Sequence, residues 1–202
     1  MKKLFLAIAT HEGLVEAAAP IIKKMRANAD QKQVEIRWVH HDNFHVTLVF
    51  LGKTSDDKLV EIETLIQDIA AQFAPFSLKI ADVGAFPDEF SSRVLWFGVQ
   101  NSKTLRSLQD HLSQKFKDQN YPMESREYSP HLTIGRLRNP HRTKDLTSPF
   151  VRKKIAKILV QEIVLYESVG IAPFPVYKIL KKFPLTGEPQ DEPTDETFSE
   201  AD

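Results

Sequence analysis

The sequence contains no cysteine, which removes disulfides, thiolate nucleophiles and zinc–thiolate centres as candidate features. It also lacks any apolar run near the roughly 18 residues of a membrane span, so membrane partners are not expected. Net charge is missing too: 27 Lys and Arg balance 27 Asp and Glu. The opening MKKLFLAIAT imitates a signal peptide. Its apolar stretch, Leu4 to Ala9, is shorter than an h-region of roughly 7–15 residues, so it reads as a first β-strand and the cytoplasm is the default compartment. The remaining composition, 42% hydrophobic and 27% charged over 202 residues, suits one globular domain or two small lobes forming one unit.

The zero net charge hides an asymmetry. From Gly187 the segment GEPQDEPTDETFSEAD holds seven acids and no Lys or Arg. Residues 1–186 then keep 27 basic against 20 acidic residues, a net +7 that favours an anionic partner. We read 1–186 as the folded domain and 187–202 as an acidic, disordered tail.

Alternation and helical spacing predict strands at 2–9, 34–38, 45–51, 76–83, 93–99, 131–137, 159–169 and 175–184. They predict helices over 12–28, broken or kinked at Pro20, over 56–73 with Ser55 as cap, and over 103–119. GAFPDEFSS reads as a loop and Asn139–Lys154 as a basic linker. Strands mixed with helices and hairpin-like neighbours argue for an α+β fold with antiparallel sheets.

Two of these strands contain the same interruption. FHVTLVFLG carries His45-Val46-Thr47-Leu48, and SPHLTIGRL carries His131-Leu132-Thr133-Ile134. Residues i and i+2 of a strand share a face, so each motif holds an imidazole and a hydroxyl side by side while the aliphatic residues point to the core. Two imidazoles suit paired acid–base work near neutral pH, and threonine hydroxyls can donate to phosphate oxygens. With 7 His and 11 Thr, random placement gives roughly 0.4 such matches, so one motif alone says little. Two in matched aliphatic context point to a site. A third match, His141-Arg142-Thr143, lies in the proline-flanked basic stretch, and His111-Leu112-Ser113 lies on a helix where i and i+2 diverge; neither is assigned a role.

Paired motifs of this kind resemble the two-histidine phosphoesterase superfamily. LFLAI, DNFHVTLVFLG, SRVLWFGV, YSPHLTIGRL and EIVLYES narrow the resemblance to its RNA 2′,3′-cyclic phosphodiesterases, the 2′-5′ RNA ligase-like proteins. The resemblance implies two pseudo-symmetric lobes, each a small antiparallel sheet with helices, around a central groove. It implies His45 as proton donor, His131 as proton acceptor, and Thr47 and Thr133 as phosphate-binding hydroxyls. Arg136 falls on a recurrent phosphate-binding arginine, although strict alternation from His131 points it away from the groove. Arg126 and Tyr128 match further positions of the substrate groove.

Other candidates are weaker on physical grounds. Arg93 could line a nucleotide groove, whereas Trp96 reads as core. His40 and His41 would face opposite ways on a strand with no acid cluster beside them, so they read as surface and no metal is expected. The implied activity is metal-independent hydrolysis of an RNA 2′,3′-cyclic phosphate to a 2′-phosphomonoester by a monomer without cofactors. Reversal would give a 2′-5′ linkage. Alternatives are a phosphodiesterase for 2′-5′ oligoadenylate or a cyclic ADP-ribose phosphate, and a non-catalytic RNA- or nucleotide-binding module.

Overall fold

A computed structural model of the chain describes residues 1–100, 102–170 and 175–189. Its strands are β1 (Lys2–Ala9), β2 (Ile36–Trp38), β3 (His45–Thr54), β4 (Phe76–Phe86), β5 (Ser92–Val99), β6 (His131–His141), β7 (Lys154–Val160), β8 (Glu162–Val169) and β9 (Val176–Pro184). Its helices are α1 (Glu12–Gln31), α2 (Leu59–Ala70), α3 (Lys103–Asp118) and the single turn α4 (Lys144–Thr147). The α+β class and antiparallel pairing are as the sequence implies. The sheet runs β7-β4-β5-β6-β3-β1-β8-β9, with β2 attached to β6.

The order divides into two halves of matching plan. In one, β1 leads through α1 to its neighbour β3; in the other, β5 leads through α3 to its neighbour β6. The halves meet at a single register pair among the described residues, Val46 opposite Leu132. So slight a seam needs other support, and the helices supply it by crossing over. The helix between β1 and β3 packs under β7 of the other half, while the helix between β5 and β6 packs under β3. Leu14, Ala18, Ile21, Met25 and Ala29 of α1, and Leu105, Leu108, Leu112 and Phe116 of α3, are the buried stripes at helical spacing that make these contacts.

This sheet cannot be flat. β7 and β8 stand six places apart in the order, about 29 Å at roughly 4.8 Å per strand. Only Gln161 separates them, and two residue steps reach about 7 Å. The sheet therefore curls. Tyr177 of β9 shows the sense of the curl: its ring lies 5.1 Å from that of His45 on β3, three strands away. The face bearing His45 is the concave one, and the helices cover the other.

Several boundaries differ from expectation, each for a physical reason. One continuous α1 runs through Pro20, whose ring sits on the exposed face and leaves the Glu16 carbonyl to solvent. Ser55 makes no capping hydrogen bond; a 3-10 turn at Asp56–Lys58 precedes α2 instead. The supposed strand 159–169 is two strands that pair in different halves. The supposed linker 139–154 contains the end of β6, α4 and a 3-10 turn at Ser148–Phe150, so it is not a linker. Within it, the rejected third motif is structural: the buried Thr143 hydroxyl meets Ser92 Oγ at 2.5 Å. At the far end, Leu185 is buried and the Gly187 amide donates to Phe73 O at 3.0 Å. Most of the acidic segment, residues 190–202, lies outside the described residues.

Candidate active site

Val46 and Leu132 are fully buried on the helix side. Their neighbours His45, Thr47, His131 and Thr133 must therefore project from the concave face, and all four are half-buried there. Continuing the antiparallel register sets His45 opposite Thr133 and Thr47 opposite His131. The histidines are then diagonal neighbours, with backbones about 7–8 Å apart. That separation leaves room for one small anion between two rings.

Each imidazole is oriented in the same way. His45 Nδ1 lies 2.7 Å from the Asn43 carbonyl, and His131 Nδ1 lies 2.8 Å from the Ser129 carbonyl. A carbonyl oxygen only accepts, so each Nδ1 carries hydrogen and each Nε2 is left as the working nitrogen. Burial is the first cause that holds both rings below the usual imidazole pKa. The carbonyl bonds oppose this, and the positive charge of Arg136 adds to it for both. His131 also lowers His45, so the rings sense one another.

Arg136 reaches this face through a β-bulge. Trp96 pairs with Thr133 and Leu95 with Gly135, so Ile134 is an extra residue on β6. The extra residue shifts the alternation by one: Ile134, Gly135 and Leu137 are buried, while Arg136 joins Thr133 on the concave side and is exposed. The objection from strict alternation is thereby removed. The other half repeats the device. Ala7 pairs with Thr47 and Leu6 with Val49, so Leu48 is extra on β3. By the same count, Phe50 is brought to the concave face, 49% exposed, at the position equivalent to Arg136.

Aromatic rings wall the site. Around His45 stand Phe5 at 5.2 Å and Tyr177 at 5.1 Å, and Tyr166 stacks on Phe5 at 5.1 Å. Edge-on to His131 lies Phe86 at 4.9 Å. Trp96, read as core from the sequence, is half-buried on the concave side beside Phe86; the core positions of β5 are Leu95 and Phe97. The sequence reading missed Phe5, Phe50, Phe86, Tyr166 and Tyr177. One signal could have found Phe50: it follows His45 by five residues, as Arg136 follows His131.

The remaining candidates are not gathered at the histidines. Tyr128 is a clasp: its hydroxyl donates to the Thr47 carbonyl at 2.9 Å, and burial holds its pKa far above the usual phenol value. Arg126 points to solvent, its side chain 83% exposed and paired with Glu124 at 2.6 Å. Arg93 stands three residues from Trp96, so alternation assigns it to the opposite face. His40 and His41 are exposed as expected, but they precede and open a 3-10 turn rather than lying on a strand. Their rings are consequently 4.2 Å apart instead of opposed, with Asp42 beside them. At the concave site the donor set is two imidazoles and two hydroxyls.

Residues 14–171 match the 2′-5′ RNA ligase superfamily. An Archaeoglobus fulgidus protein named RNA 2′,3′-cyclic phosphodiesterase is 30% identical over 183 residues, covering 90% of this chain and 99% of the relative. A Methanothermobacter thermautotrophicus protein of the same name is 31% identical, covering 91% and 98%. Among solved structures, a Thermus thermophilus protein superposes with a TM-score of 0.76 at 25% identity, covering 92% of this chain and 99% of that one. E. coli LigT complexed with 3′-AMP gives 0.71 at 26% identity, covering 92% and 98%. Matched fold, matched length and the extent of the family match agree: the chain belongs to the 2′-5′ RNA ligase superfamily.

Proposed function

We propose that the protein hydrolyses RNA 2′,3′-cyclic phosphate ends to 2′-phosphomonoesters by acid–base catalysis between its two motif histidines. One observation carries the reading: two imidazoles on adjacent strands, each with Nδ1 anchored to the carbonyl two residues before it, face one recess with Nε2 free. The names of the relatives support the same chemistry.

The cyclic phosphate sits between the rings. His131 Nε2 takes a proton from water as its oxygen attacks phosphorus in line with the P–O3′ bond. As that bond breaks, protonated His45 gives its proton to the departing 3′-oxygen. Water thus supplies one proton to His131 and the hydroxyl to phosphorus, and exchange with solvent restores both rings. The Thr47 and Thr133 hydroxyls and the Arg136 guanidinium donate to the non-bridging oxygens as charge builds. The assignment of donor and acceptor follows the family resemblance. No carboxylate joins the donor set at the recess among the described residues, so the side chains themselves supply both proton transfers. One chain supplies every group, so a monomer in the cytoplasm is the working species we propose.

The test is hydrolysis of a 2′,3′-cyclic mononucleotide, with the product isomer read by phosphorus NMR, with and without excess EDTA. A 2′-phosphate formed equally fast in chelator is expected. A 3′-phosphate product, or activity restored only by a divalent ion, overturns the mechanism.

A further inference from the structure

Beyond Arg136, β6 carries Arg138 two residues on, on the same exposed side. Its neighbour there is not β3, which begins only at His45, but the short β2. Arg37 of β2 pairs directly with Arg136, and Ile36 and Trp38 on either side of it pack toward the core. Cross-strand partners share a face, so Arg37 projects beside Arg136. Like charges directly opposite on a sheet are destabilising. Yet none of Arg37, Arg136 and Arg138 has an ion-pair partner among the described residues. Glu35 continues the register opposite Arg138 but forms no salt bridge with it.

Arg37 and Arg138 also line a concavity of about 580 Å³ at the β2 edge, together with Trp38, Asp30, Gln33 and Glu35. The strip therefore starts at the catalytic recess and runs along the concave face to the rim of this concavity, whose far wall is the end of α1 on the helix side of the sheet. The strip offers guanidinium donors for the phosphates of a strand. A rise of about 3.3 Å per residue puts Arg138 about 7 Å past Arg136, a step that one nucleotide of extended backbone can follow.

We infer that Arg37 and Arg138 form a second phosphate subsite, which holds the phosphodiester preceding the cyclic end and selects oligoribonucleotides over mononucleotides. The inference rests on the reading of the histidine site above. Arg136 serves the reacting phosphate; the other two grip the strand behind it. The unfavourable Arg37–Arg136 pairing is relieved when a phosphate lies between them.

The experiment compares Arg37→Gln and Arg138→Gln with wild type on a 2′,3′-cyclic mononucleotide and on a tetraribonucleotide ending in a 2′,3′-cyclic phosphate. Each variant should keep its mononucleotide kcat/KM within about twofold and lose about tenfold on the tetramer, through KM. The slope of log affinity against log salt for a fluorescein-labelled tetramer 2′-phosphate should fall by about 0.7 in each variant. Unchanged tetramer kinetics and salt slope, or equal losses on both substrates, overturn the subsite. If wild type hydrolyses neither substrate, the functional reading fails; the salt slope then still decides whether the strip binds a strand.

Discussion

A histidine that gives its Nδ1 hydrogen to a carbonyl and loses solvent on its other side is biased toward its neutral form. Both motif histidines are in that state, pushed down first by burial and then by Arg136. The working enzyme needs one ring neutral and one protonated, so kcat/KM should trace a bell centred below pH 6.5 and fall through neutrality. A bound phosphate anion favours the charged ring, so the kcat bell should lie at higher pH than the kcat/KM bell. A kcat/KM maximum at pH 7.5 or above would contradict this ordering. The single variants assign the roles. His131→Ala should cost about 10²–10⁴-fold and lose the acid limb, which reports protonation of the base. His45→Ala should cost as much and lose the alkaline limb. Exchanged limbs would exchange donor and acceptor.

At the scale of single elements, the strands that carry the motifs depend on exceptions to regular pairing. Both His-x-Thr motifs were legible because period-2 alternation is a local property of one strand. The bulges at Leu48 and Ile134 were not, because a bulge is defined by a partner strand, and nothing in TIGRL alone reveals that Trp96 and Leu95 will skip a residue. Strict alternation therefore turned Arg136, named as a phosphate-binding residue, to the wrong side, and Phe50 was missed. Gln161 failed to show as a boundary for a similar reason: KILVQEIVLYES reads as one apolar run, and only the pairing of its ends with different halves divides it. A further dependence lies under Trp96, whose ring rests against Gly84 of β4. A methyl group at Gly84 would lie 2.3 Å from that ring. Gly84→Ala should cost about 1–3 kcal/mol by overpacking. The shift of Trp96, which pairs with Thr133, should also weaken binding of the product 2′-phosphate. Urea unfolding and a product-inhibition constant measure the two effects together; wild-type values for both would mean that the ring moves freely.

Taken whole, the molecule consists of two halves that cannot separate. Their strands touch at one register pair, but each half is underpinned by the other's helix, and β8 and β9 return from the end of the fold to complete the half that β1 began. Unfolding should therefore be a single transition. Trp38 and Trp96 both report on strands attached to the β6 side, whereas far-ultraviolet circular dichroism reports on all elements. Their urea curves should coincide. A tryptophan transition displaced from the dichroism transition would mean that the halves melt independently.

The place of β1 has a consequence for how the chain is made. Leu4 pairs with Glu167, and Phe5 with Tyr166. On the ribosome the early strand must wait, one long edge unsatisfied, while most of the chain is still being translated. Contacts so distant in sequence close late and slowly. An exposed apolar edge during that interval is a surface that other strands can join. Nascent chains halted before residue 162 would expose that edge to any chaperone that recognises unpaired strands.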